Sequence, residues 1–114
     1  AGLLVLMAIP ALAAETAYSS VMDDLPLMQE MAERPEDTVI FDNPGGRIVE
    51  FSAETTASPE AVQNFYRQAL PPLGWRASQS SRFVRDNEAL KIDFDKKSGV
   101  TIVRFALTPA SGGK

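Results

Sequence analysis

Ser58-Pro59-Glu60-Ala61-Val62-Gln63-Asn64-Phe65-Tyr66-Arg67-Gln68-Ala69-Leu70 is the stretch that decides the fold. Ser58 is an N-cap residue whose side-chain oxygen accepts a free backbone N–H of the first turn. Pro59 suits the first helical position, where its missing N–H costs nothing, and Glu60 complements the positive end of the helix dipole. Val62, Phe65, Tyr66, Ala69 and Leu70 recur at helical spacing, and Gln63, Asn64, Arg67 and Gln68 fall on the other side. The spacing predicts one amphipathic helix over 59–70. Pro71-Pro72 stops it, and Leu73-Gly74-Trp75 turns the chain into the next strand.

Downstream of the helix, the pattern changes to a period of two. Strands are predicted over 75–79, 82–85, 89–96 and 100–108, with turns at Ser80-Ser81, Asp86-Asn87 and Lys97-Ser98-Gly99. Leu90, Ile92 and Phe94 alternate with Lys91, Asp93 and Asp95; Thr101, Val103, Phe105 and Leu107 alternate with Ile102, Arg104 and Ala106. Upstream, 38–41 (Thr-Val-Ile-Phe) and 47–56 flank the turn Asp42-Asn43-Pro44-Gly45-Gly46 and predict a hairpin. Its second strand puts Val49, Phe51 and Ala53 on one face. The expectation is an α+β domain over 38–109: an antiparallel β-sheet in the succession β-β-α-β-β-β-β, with one long amphipathic helix packed on one face. Phe41, Phe51, Phe65, Tyr66, Trp75, Phe83, Phe94 and Phe105 are expected to fill its core.

Residues 14–37 form an acidic N-terminal segment. Within it, Pro26 at a first helical position predicts a short helix over 26–33, with Leu27, Met28 and Met31 along one edge. Such a helix is not stable alone and must dock on something. Residues 1–13 contain Leu-Leu-Val-Leu-Met-Ala-Ile-Pro-Ala-Leu over 3–12, followed by Ala13. The run has the length of a signal-peptide core, and Ala11-Leu12-Ala13 has the pattern of a cleavage site, so cleavage is expected near Ala13/Ala14. With no methionine or basic stretch before it, the signal is read as truncated at its front. The expected location is the periplasm or the exterior, with membrane attachment only through an uncleaved signal. Residues 110–114 are expected to form a disordered tail.

Composition narrows the function classes. The chain of 114 residues suffices for one domain. It contains no cysteine and no histidine, which removes thiolate nucleophiles, zinc–thiolate sites and the commonest general base. A net charge of −4 opposes nucleic-acid binding. The charge is uneven: residues 15–50 carry nine acidic side chains against Arg34 and Arg47, and residues 51–114 carry six acidic against nine basic. That asymmetry suits docking of the acidic segment on a basic sheet.

The candidate sites each have a plain structural reading beside the functional one. Asp93 and Asp95 share a strand face, as a carboxylate pair or a Ca²⁺ site requires, but Lys91 lies on that face and Arg104 is an expected cross-strand neighbour, which predicts a solvated ion-paired face. The Asp42–Gly46 turn lacks the lysine and the downstream helix of a phosphate loop. Ser19-Ser20, Ser80-Ser81 and Lys96-Lys97 have no serine–lysine hydrolase spacing. Trp75 offers a stacking surface for a ligand or, more simply, a seal at the end of the helix. Leu25, Leu27, Met28 and Met31 are the leading partner-binding candidates, because methionine suits adaptable surfaces and short apolar segments dock in grooves. Packing of the same four on their own sheet is the competing reading. No catalytic, cofactor or metal residues are assigned.

Ser58-Pro59-Glu60-Ala61-Val62 with Phe65-Tyr66, then Leu70, Leu73-Gly74-Trp75 and Arg82-Phe83-Val84-Arg85, resembles a recurring small domain of exported proteobacterial proteins. Asp24-Leu25-Pro26-Leu27-Met28 and Gly46-Arg47-Ile48-Val49 fit the same pattern. The resemblance covers most of the chain after the signal. It implies export and the fold, and it carries over no catalytic residue. The expected role is a non-catalytic periplasmic accessory or protein-interaction domain with a protein partner. Two other readings stand beside it: a carrier of a small apolar ligand or lipid, with Met22, Met28 and Met31 as a lid, and an enzyme using only Asp, Glu, Ser, Tyr and Arg.

Overall fold

A computed structural model describes residue 2, residues 16–79 and residues 81–110. The signal segment with its cleavage site and the tail 111–114 lie outside the described residues. The described chain is mostly antiparallel β-sheet with one α-helix, so it is α+β. The strands are β1 (Ala17–Tyr18), β2 (Pro26–Leu27), β3 (Met31–Glu33), β4 (Val39–Asn43) and β5 (Gly46–Thr55), then β6 (Arg76–Gln79), β7 (Arg82–Arg85), β8 (Glu88–Lys97) and β9 (Val100–Pro109) after helix α1 (Pro59–Ala69). Short 3₁₀ turns sit at Pro35–Asp37 and Pro71–Leu73.

Local chemistry accounts for these boundaries. Ser58 Oγ accepts the Ala61 N–H at 3.1 Å, and Pro59 opens the helix. Gly74, at φ +98°, makes the left-handed turn after Leu73, and the Trp75 N–H returns to the Leu70 carbonyl at 3.2 Å. Gly46 has φ +133°, and a Cβ there would lie 2.6 Å from Pro109 Cγ, so the hairpin tip requires glycine twice over. β8 and β9 join through Ser98 and Gly99, both at positive φ, in a two-residue loop with Lys97 opposite Val100.

The larger sheet runs β3-β5-β9-β8-β7-β6, and β4 pairs with β5 alongside β3. β5 therefore has β9 on one side. On its other side it has β4 along Gly46–Glu50 and β3 along Ala53–Thr55. One buried cluster draws side chains from α1, the sheet and the N-terminal segment. Val62, Tyr66 and Leu70 meet Phe51, Ala53, Leu90, Ile92, Val103 and Phe105, with Phe51 stacked on Phe105 at 4.9 Å and Tyr66 edge-on to Phe105 at 5.6 Å.

Two expectations need correction. The segment predicted as a helix over 26–33 is extended: β2 pairs with β1, Met31 N–H closes a turn on the Met28 carbonyl, and β3 joins the sheet opposite Ala53–Thr55. A weak helix of about two turns cannot offset its nucleation cost, whereas β3 gains ladder bonds to β5 and keeps Met31 in the core. Phe41, expected inside, is 46% exposed. It sits on β4, and no residue of β4 belongs to the core or packs against it.

Candidate functional site

The apolar N-terminal segment is built into the domain as a strap. Leu25 is fully buried, Leu27 and Met31 are buried, and Met28 packs half-buried against the same core. In this conformation Leu25, Leu27 and Met31 lie in the chain's own core and Met28 packs partly buried against it, the arrangement of the competing reading. Polar pins hold the strap. Ser19 Oγ accepts the Val21 and Met22 N–H groups at 3.0 and 3.1 Å and donates to the Glu33 carboxylate, which also accepts the Ser20 N–H and hydroxyl at 3.0 and 2.8 Å. Burial opposes the charged form of Glu33, but these bonds outweigh it and hold the carboxyl below its ordinary range. Tyr66 Oη donates to Met31 Sδ at 3.6 Å, and burial, with Glu33 nearby, pushes the phenol upward.

A second clamp explains Trp75. The indole is 1% exposed, the Arg85 guanidinium lies 4.2 Å over its ring, and Arg85 also reaches the Leu73 carbonyl at 3.1 Å and Asp24 at 2.9 Å. A ligand has no ring face to stack on. Here one acidic residue of the N-terminal segment does dock on a basic residue of the sheet.

The other sheet face is polar. Asp93 lies opposite Arg104, Arg104 bonds Asp95 at 2.6 Å, and Lys91 stands 3.9 Å from Asp93, all of them exposed. The carboxylate pair is ion-paired in water. Near the rim, Asp37 accepts Ser52 Oγ at 2.6 Å and Arg34 Nε at 2.8 Å, and those two bonds lower its carboxyl. A shallow concavity of about 520 Å³ runs from Glu36 and Asp37 past Val39 and Glu50 to Asp93 and Arg104. Among the described residues, no three carboxylates converge closely enough to hold a metal ion.

What remains open is β4. Val39, Ile40 and Phe41 are 47, 52 and 46% exposed, although they are consecutive and large. Ile40 shares a face with Val49, while Val39 and Phe41 stand with Glu50 and Ile48 on the other. Both sides of this strand are apolar and wet, and among the described residues its outer edge pairs with nothing. The opposite edge of the sheet, β6, is a contrast: Arg-Ala-Ser-Gln, polar and charged, as exposed edges ordinarily are. The sequence signals β4 as an apolar strand. It carries no signal that α1 and the strap end short of it.

No family model, curated protein or solved structure matches this chain.

Proposed function

We propose that this chain is a non-catalytic, exported protein-interaction domain whose contact element is the edge strand β4. The observation that carries the reading is the run Val39-Ile40-Phe41: three large apolar side chains, each about half exposed, on a strand with a free edge among the described residues. An exposed flat apolar edge invites aggregation unless something pairs with it. Strand addition uses such an edge, taking affinity from main-chain hydrogen bonds and specificity from alternate side chains. The scaffold in this reading is the succession β-β-α-β-β-β-β, with the helix across one face and the strap closing the core. The apolar run before Ala13 supports export to the periplasm. The carrier reading has less support: the space between α1 and the sheet, beside Tyr66, Phe83 and Phe94, amounts to about 10 Å³, which is the room of one water.

The test is site-specific photo-crosslinking in the producing cell, with the photoreactive residue at Ile40 or, as a control, at Ala77 on β6. The proposal expects a discrete adduct from position 40 that position 77 does not give. Equal labelling at both positions, or none at either, contradicts it.

A further inference from the structure

We propose that the occupant of the β4 edge is a second copy of this chain, paired antiparallel through a two-fold axis at Ile40. The inference rests on β4 being the contact element and names its partner.

The ladder itself fixes which backbone groups are available. Asn43 and Gly46 face each other across the two-residue Pro44-Gly45 loop, which makes them a hydrogen-bonded pair. Hydrogen-bonded pairs alternate, so Phe41 and Val39 also point their N–H and C=O groups at β5, and Ile40 and Asp42 point theirs outward. The rest of the sheet agrees with this phase: the Arg34 N–H bonds the Ser52 carbonyl at 2.9 Å, so even-numbered β5 residues face the β3/β4 side. Thr38 presents its carbonyl outward, but its N–H is already given to the Pro35 carbonyl at 3.1 Å.

Only one self-pairing register uses all three outward residues. It sets Ile40 against Ile40 of the second copy and Thr38 against Asp42, in both directions. The two Ile40 residues exchange N–H···O bonds, and each Asp42 N–H meets a Thr38 carbonyl. In the same register Val39 stands opposite Phe41 in the non-hydrogen-bonded pairs, where side chains approach most closely and an aromatic–β-branched contact is favourable. No carboxylate faces a carboxylate: Asp42 meets a Thr38 hydroxyl, and Asp37 lies in the 3₁₀ turn before the strand with its carboxylate bonded to Ser52 and Arg34. Moving the axis to Val39 carries Phe41 and Asp42 past the start of the partner's strand, onto its 3₁₀ turn at Glu36 and Asp37, and loses their ladder pairs. Moving it to Phe41 sets Ile40 against Asp42 and Thr38 against Pro44. The isologous contact closes at two chains, because the other sheet edge, β6, is polar and lacks the matching apolar set.

The cysteine-free chain allows a register-specific test. Full-length Val39→Cys and Phe41→Cys chains are oxidised mildly, each alone and mixed. In the proposed register the thiol introduced at position 39 of one chain lies opposite the thiol introduced at position 41 of the other. The two are about 4.5 Å apart at Cα and within disulfide reach, whereas like positions are diagonal. The expected result is a disulfide-linked dimer in the mixture at least about tenfold above either chain alone. Sedimentation of the unsubstituted chain is expected to show a dimer that Ile40→Pro and Ile40→Lys both convert to monomer, with the helix and sheet circular dichroism retained in the lysine variant. A monomer at every concentration, or equal crosslinking in all combinations, overturns the inference. If the chain is monomeric yet position 40 gives an adduct of another mass in cells, the dimer falls and the interaction reading stands; if neither forms, both fall.

Discussion

Two apolar stretches interrupt the acidic N-terminal part of this chain, and the structure treats them oppositely. Leu25-Pro26-Leu27-Met28 with Met31 lies inside, pinned by Ser19, Ser20, Glu33 and Asp24; Val39-Ile40-Phe41, equally apolar and a short way further along the chain, lies outside on both faces of an edge strand. Composition does not separate them. What separates them is where each meets the sheet. β3 pairs with the half of β5 that carries Ala53 and Thr55 inward and keeps its own Met31 in the core; β4 pairs with the half near the hairpin tip, where Val49 alone of Gly46–Glu50 is buried and no β4 side chain joins the cluster. The comparison teaches that burial is decided by the footprint of the covering element, and that an apolar segment left outside it is the better mark of a contact surface.

The contrast breaks most visibly under truncation. Leu25→Ala removes a fully buried side chain and is expected to cost about 2–5 kcal/mol in denaturant unfolding, whereas Ile40→Ala, measured in dilute solution where the chain is monomeric, is expected to change stability by less than about 0.5 kcal/mol. Comparable losses at both positions would mean that β4 is part of the core after all.

Glu33→Gln comes next, because it removes the charge that gathers three hydrogen bonds around the strap. The expected cost is about 1.5–3 kcal/mol at neutral pH. The Glu33 carboxyl is held below its unfolded value, so its contribution is fully present above the unfolded pKa and is lost as pH falls through the folded one. Asp37, also lowered, has the same sign. Unfolding of the parent and of Glu33→Gln is therefore expected to converge in acid, and a gap that persists at low pH would assign the loss to packing. Ser58→Ala is a smaller perturbation, about 1 kcal/mol through the lost cap, and is expected to leave any β4-dependent association unchanged.

Much of the architecture is legible in the sequence. Helix α1 and β7–β9 follow from local chemistry: a Ser-Pro-Glu start, a Pro-Pro stop, two-residue turns and strict alternation. The ion-paired face of Asp93, Asp95 and Arg104 follows from the same alternation. The strap does not, because Pro26 and the apolar spacing fit a short helix locally, and only the ladder to β5 favours the extended form. Phe41 is misplaced for a related reason. Alternation tells which residues share a face, but it does not tell how far the helix covering that face extends. The candidate site emerges only where a legible strand meets an illegible boundary.

The most direct measurement is amide hydrogen exchange, resolved residue by residue, in dilute and concentrated solution. In dilute solution alternation is expected along β4: the Val39 and Phe41 amides protected by β5, the Ile40 and Asp42 amides exchanging fast, and the Leu25 amide protected within the strap. On concentration, the Ile40 and Asp42 amides alone gain protection. Uniform protection along β4 in dilute solution, or fast exchange at Ile40 and Asp42 at every concentration, would contradict a self-pairing edge.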